Sequence, residues 1–363
     1  MKSTITRLPF LVLTFGATIA QSVDKGPEFK ETITPAAAGS GPIIKLEGRF
    51  GTKYRPFEVA DNTTFDLTNM VFLSRADHPT AWKFVAGDQI TPPKNIRMNG
   101  GVFHGNIPLE WTWSMSHAFS GAAFLTVASG QHIVENARIH NVQDGWRPRE
   151  TQTFLRRSYR NNASFLMRHC YVTGIRDDCI ENDEFMPGAV EDSLFDGVFT
   201  FLSEQNEKVN GVRHLVQPTI GKDEDPMIRI TRVLLRLAVT CAGDPGPGTW
   251  FKFHGYESRL HQLVITDSVF AAAQKPRNGW KLLNFPKTAQ FKGTNYVLWL
   301  GEPGTYEATV PDGVKFIEGQ AAKDKWHELR NDWLIKHGYA PRSPDDWDPM
   351  KAPVEAPKRV ARK

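Results

Sequence analysis

Five acids stand in the eight residues from Asp177 to Glu184: Asp177, Asp178, Glu181, Asp183 and Glu184, with Arg176 directly before them. A further acid, Asp144, lies 33 residues earlier in the run His140-Asn-Val-Gln-Asp-Gly-Trp146. Two carboxylates brought side by side do not both ionise easily, so one keeps its proton while the other stays charged. That division is what a general acid and a general base require, and it makes Asp144, Asp177 and Asp178 the candidate catalytic residues. The same region offers a second chemistry. Fully ionised, Asp177, Asp178, Glu181 and Asp183 are hard oxygen ligands of the kind that hold Ca²⁺. Asp and Asn at turns also serve only to bond the backbone, which is the plain alternative.

Around the acids stand residues that could hold a substrate. Arg147 and Arg176 can pair with a carboxylate, and Trp146 and His140 flank Asp144. His104 and His140 can act as a pair of bases or ligands. No His-x-His or Cys-x-x-Cys spacing occurs, so a structural zinc site is not expected. There are 10 Trp. Trp111, Trp113, Trp146, Trp250 and Trp280 fall in or beside predicted loops, where their faces could stack on sugar rings.

Such residues need a frame, and the sequence supplies one by repetition. An eight-residue pattern starts at Met98, Val134, Met167, Val190, Ile230 and Ile265, at intervals of 36, 33, 23, 40 and 35 residues. Weaker copies start at Leu67 and Phe291. The first position is always apolar. The fourth is small or thin: Gly101, Ala137, Cys170, Ser193, Val233, Ser268. The sixth is apolar again: Phe103, Ile139, Val172, Phe195, Leu235, Phe270. Alternation of this kind marks strands with one buried face. The seventh position, from His104 and His140 to Arg236, is mostly polar and is expected to face water. Short strands that cannot bury a face alone can do so by stacking, which predicts an all-β chain: a right-handed parallel β-helix of about eight rungs. A 23-residue interval is too short for a four-stranded propeller blade. Column alignment sets Asp144 beside Asp177 on adjacent rungs, roughly 5 Å apart.

The flanks read differently. Lys2 and Arg7 precede an apolar run, and Thr18-Ile19-Ala20 offers a small-residue cleavage site, the pattern of a signal peptide over residues 1–20. Residues 21–60 are expected to cap the first rung, residues 61–319 to form the β-helix and residues 320–340 a capping helix. Residues 341–363 are Pro-rich and charged and read as a disordered tail. The localisation expected is secreted or periplasmic, with no membrane contact after signal cleavage. A net charge of +4 on 363 residues gives no field for nucleic acid. Three Cys exclude a disulfide scaffold.

The pair of runs ending in Asp144-Gly145-Trp146 and beginning Arg176-Asp177-Asp178-Cys179-Ile180 resembles the family-28 polygalacturonases of the pectin-lyase-like superfamily. That family carries an Asn-Thr-Asp-Gly turn, then an Asp-Asp-Cys turn on the next rung. The resemblance implies catalytic roles for Asp144, Asp177 and Asp178. Two family motifs are missing: the Gly-His-Gly turn falls on Asp196-Gly197-Val198, and Arg-Ile-Lys falls on Arg229-Ile230-Thr231. The function expected is cleavage of an extracellular, uronate-containing polysaccharide by β-elimination or hydrolysis, with Ca²⁺ as the candidate cofactor. The alternative is a non-catalytic β-helix that binds glycans or mediates adhesion.

Overall fold

The structure is a computed structural model that describes residues 30–37, 40–51, 54, 58–74, 84–88, 91–149, 163–184, 186–204, 208–209, 212–213, 227–253, 262–277, 283, 285–287, 289–352 and 354. The proposed signal peptide and Trp280 lie outside the described residues.

The chain coils so that successive strands stack in parallel, the architecture of a parallel β-helix. Three rows of strands build it. Row one stacks Ile96–Asn99, Gln131–Glu135, Ser164–Arg168, Gly188–Glu191, Met227–Thr231, Gln262–Thr266 and Ala289–Lys292. Row two stacks Val102–Gly105, Arg138–His140, Tyr171–Thr173, Leu194–Val198, Leu234–Leu237, Val269–Ala272, Asn295–Trp299 and Val314–Glu318. Row three stacks Val85–Gly87, Ala122–Val127, Asp144–Arg149, Asp178–Glu181, Thr200–Glu204 and Phe251–Phe253. At the N-terminal end, Lys30–Thr34 runs antiparallel to Ile43–Gly51. No described helix is long and apolar enough to cross a membrane.

The repeat columns are strand pairs. Met98, Val134, Met167, Val190, Ile230 and Ile265 pair in sequence, as do Phe103, Ile139, Val172, Phe195, Leu235 and Phe270. The weaker copies slip. Met98 pairs with Phe65 rather than Leu67, because Thr63–Ser74 is one unbroken strand. Phe270 pairs with Val297 rather than Tyr296, because one more residue fills the corner after Lys292.

Each corner between rows one and two turns on a left-handed residue: Gly100, Asn136, His169, Asp192, Arg232, Asp267 or Gly293, with φ from 38° to 81°, and the first corner adds Gly101 at φ 93°. Its N–H still reaches the next rung, as in Asn136 N to Arg168 O (3.1 Å) and Asp192 N to Thr231 O (2.9 Å). The ladder therefore stays satisfied while the chain bends. The next residue is the thin fourth column, which points inward where two strands meet. Ser193 and Ser268 use their hydroxyls there to accept from the backbone N–H of Cys170 and Val233.

The interior is a stack of aromatic rings, from Tyr54 on Phe84 (5.0 Å) through Phe103 on Phe124 (4.6 Å) to Trp250 on Phe270 (5.4 Å). The three cysteines are free and buried.

The seventh column, apart from half-buried His104, does not face water. His140, Thr173, Asp196, Arg236 and Ala271 are all buried, because the C-terminal part of the chain covers row two. Helix α1 (Trp113–Phe119) lies before row three. Helix α2 (Gly319–Lys336) follows the last row-two strand and runs back over the row. It buries Ala322, Trp326, Trp333 and Leu334 in one cluster with Tyr171, Leu194, Leu234, Val269 and Leu298. So α2 lies along the side of the coil rather than across its end. Beyond it, residues 337–352 form a packed strap, and residues 341–352 of it belong to the stretch expected to be a disordered tail. Arg342 is the reason. It donates to Asp196 Oδ2 (2.8 Å), Asp346 Oδ1 (2.8 Å) and the Asp348 carbonyl (2.8 Å). Asp196 also receives Arg236 Nε at 2.5 Å. Gly174 and Gly197, both at positive φ, leave the room that Met350 and Pro349 fill.

Candidate active site

Row three carries the acids. Trp146 pairs with Ile180, which places Asp144 opposite Asp178 rather than Asp177. The corner after Thr173 holds one residue more than the corner after His140, and this shifts the third row by one. Asp178 N lies 3.4 Å from Asp144 Oδ1. Asp177 is still brought in: one oxygen from each of Asp144, Asp177 and Asp178 lies within 4.8 Å of the others. All three side chains are buried.

Three further residues hold this group, and only one of them adjoins a residue singled out from the sequence. Lys252 comes from Phe251–Phe253, two strands along the row from Asp178. Its Nζ reaches Asp178 Oδ2 at 2.9 Å and Asp177 Oδ1 at 3.5 Å. Gln143, beside Asp144, donates from Nε2 to Asp177 Oδ2 (3.2 Å). Ser116 on α1 donates to Gln143 Oε1 and fixes that amide. The Trp113 indole, also on α1, faces Asp177, with its N–H short of hydrogen-bond geometry. A lone Lys in the apolar run Thr249-Trp-Phe-Lys-Phe253 is the signal that could have exposed Lys252. Nothing local marks Ser116.

Burial is the main cause of the proton affinities here. It pushes the Asp177 carboxyl well above its ordinary range. The charge of Asp178 adds to this, and Lys252 works against it. Asp144 is raised too, first by burial, with the Arg147 guanidinium opposing. Burial alone would lower the Lys252 ammonium. Asp178 and Asp177 outweigh it, so Lys252 sits above its ordinary value and stays protonated.

The other expected site residues go elsewhere. Arg147 approaches Asp144 at 4.0 Å and Asp183 at 3.7 Å and contacts Glu181. Arg176 is fully buried, donating to Asn141 Oδ1 (3.2 Å) and to the carbonyls of Ile107 (3.2 Å) and Thr240. Trp146 lies inside the coil, edge-on to Phe165 and donating to Thr126 Oγ1 (2.8 Å). Trp250 is also internal. His140 shares a hydrogen bond with Thr173 Oγ1 (2.8 Å) and packs on His104. Burial, then Arg138, pulls its pKa down to about 2. It is a neutral residue of row two.

The expected calcium set does not converge. Asp177 and Asp178 close on Lys252, whereas Glu181 and Asp183 close on Arg147. The oxygens that do converge are those of Asp144, Asp177 and Asp178, and an ammonium already lies against two of them. Ca²⁺ favours 6–8 oxygen ligands, so this donor set does not fit it. What the arrangement can do is hold one carboxyl protonated beside a second acid paired with Lys252. In comparisons with family models, curated proteins and solved structures, nothing matches this chain.

Proposed function

We propose that this chain is an exported glycan hydrolase on a right-handed, pectin-lyase-like β-helix, with Asp144, Asp177 and Asp178 as its acids. One observation carries the reading: three buried carboxylates lie within 4.8 Å of one another with Lys252 against two of them. Asp177 holds a proton and gives it to the glycosidic oxygen as the bond to the sugar carbon breaks. Asp178, held by Lys252, takes a proton from the water that forms the new bond, with Asp144 beside it. The lysine of the Arg-Ile-Lys motif is missing at Thr231, and Lys252 supplies an ammonium from row three instead.

β-Elimination has less support. It needs a neutral base and a partner for the sugar carboxylate. Lys252 is held as an ammonium, His140 lies on row two, and Arg147 and Arg176 are both engaged.

The test is incubation of the full chain with a panel of neutral, amino and uronate glycans, with and without Ca²⁺. New reducing ends without the ultraviolet absorbance of an unsaturated uronide, abolished by Asp178→Asn, is the expected result. Reducing ends together with that absorbance would replace hydrolysis by elimination. No new reducing ends from folded protein on any polymer would favour the glycan-binding alternative.

A further inference from the structure

Two long connections between row two and row three flank three short ones. Along the coil these corners are residues 106–121, 141–143, 174–177, 199 and 238–250. Gln143 and Asp177 lie in the short corners, so a long loop rises on either side of them. The two loops meet across the gap. Ala242 N donates to the Trp111 carbonyl (3.0 Å). Arg277 clasps both: its guanidinium lies over the Trp113 ring (4.7 Å to the centre) and pairs with Asp244 (3.5 Å), while its backbone N–H donates to the Pro247 carbonyl (2.9 Å). The same guanidinium lies over Phe199, the residue of the last short corner (5.4 Å).

The roots of the loops are held by a buried residue. Arg176 donates to the Ile107 carbonyl (3.2 Å) near the start of the first loop and to the Thr240 carbonyl near the start of the second. Asn141 Nδ2 also donates to Ile107 O (3.1 Å). The tips are held more lightly. On α1, Ser114, Met115, His117 and Ala118 are exposed, and Ser116 alone among the described side chains of the helix is buried. A segment with so little apolar burial opens at a fraction of the free energy of unfolding. Beneath it, Asp177 and Asp178 are 4% and 1% exposed, so no sugar meets them while the loops stay joined.

We propose that residues 106–121 and 238–250 are the two leaves of a gate. They part at Trp111–Ala242 and Trp113–Arg277, pivot on the roots tied by Arg176, and admit the glycan to the acids. What passes through the gate rests on the proposed function; the parting itself does not.

Cys241, one residue before the Ala242 contact and 3% exposed, reports the parting, because Cys170 and Cys179 are sealed inside the coil. In the native full chain a thiol reagent should label Cys241 and spare the other two. Arg277→Ala should speed that labelling about tenfold, the worth of one partly desolvated cation–π pair. Equal labelling of all three cysteines, or labelling of Cys241 that Arg277→Ala leaves unchanged, would overturn the gate. The second arm closes it. Glu110→Cys with Ala242→Cys, in a Cys241→Ser chain, joins the leaves through a flexible bis-methanethiosulfonate. The joined chain should lose cleavage of the glycan panel and regain it on reduction. Cleavage as fast when joined as when reduced would overturn the gate and leave the hydrolase reading standing. Selective, Arg277-dependent labelling with no cleavage of any polymer by the parent chain would overturn the hydrolase reading and leave the parting of the loops standing.

Discussion

Lys252 Nζ lies 2.9 Å from Asp178 Oδ2 although 74 residues separate them. The two strands that carry them are not neighbours; Thr200–Glu204 runs between them. The ammonium thus reaches past a whole strand to pair with one acid in a buried group of three.

Removing that ammonium should therefore damage both stability and activity. Lys252→Met leaves Asp177 and Asp178 without their cation, and breaking a buried pair from one side costs about 3 kcal/mol. The loss should be largest near pH 8 and smaller near pH 5, where the acids can take protons instead. Chemical denaturation at the two pH values measures it. Equal losses at both would show that the pair carries little of the effect.

Asp177 predicts the pH dependence. Its proton is held more tightly in the folded chain than in the unfolded one. The stability this contributes is complete below the unfolded carboxylate range and is lost as pH rises through the raised folded value. Asp177→Asn should flatten the fall of Tm with rising pH while abolishing cleavage. A Tm profile unchanged by the substitution would place the raised group elsewhere.

Asp196 should behave in the opposite sense. Burial raises it, but Arg236, Arg342 and Arg330 prevail and hold it below the ordinary carboxylate range. Its stability is present above the unfolded value and disappears as pH falls through the folded one. Arg342→Ala should cost about 3 kcal/mol at neutral pH and free the strap. Limited proteolysis should then cut within residues 337–352, which resist in the parent protein.

Gly197 tests the strap without touching charge. Its φ is 76°, and a methyl group there would overlap Pro349. Gly197→Ala should destabilise by about 2 kcal/mol through strain and lost contact. In a chain ending at residue 338 the penalty should shrink, because Pro349 is gone; denaturation of both backgrounds gives the comparison.

Arg232 tests the corners. It occupies the left-handed region at φ 53°, where a side chain costs roughly 1 kcal/mol or more. Arg232→Gly should be neutral or slightly stabilising, and Arg232→Val should destabilise by about 1–2 kcal/mol. Similar values for both would mean that the corner strain lies elsewhere.

The β-helix register was legible because each rung must bury the same two positions, so Met98 to Ile265 and Phe103 to Phe270 align without gaps. It failed where a corner changed length, at Thr63–Ser74, after Lys292 and after Thr173. The last of these moved Asp178 into the place expected for Asp177. A one-residue change in a turn leaves no trace in the periodicity of the strands around it.

The repeating strand, its buried columns and the acids that repetition brings together follow from local alternation and a constant rise per rung, and so can be read along the chain. Their surroundings come from packing between distant segments. Lys252 joins Asp178 from two strands away, Arg147 is spent on Glu181, Trp146 turns inward, and a strap from the C-terminus buries a polar column that alternation alone turned toward water. Each depends on where distant segments meet, and neither periodicity nor spacing encodes that distance.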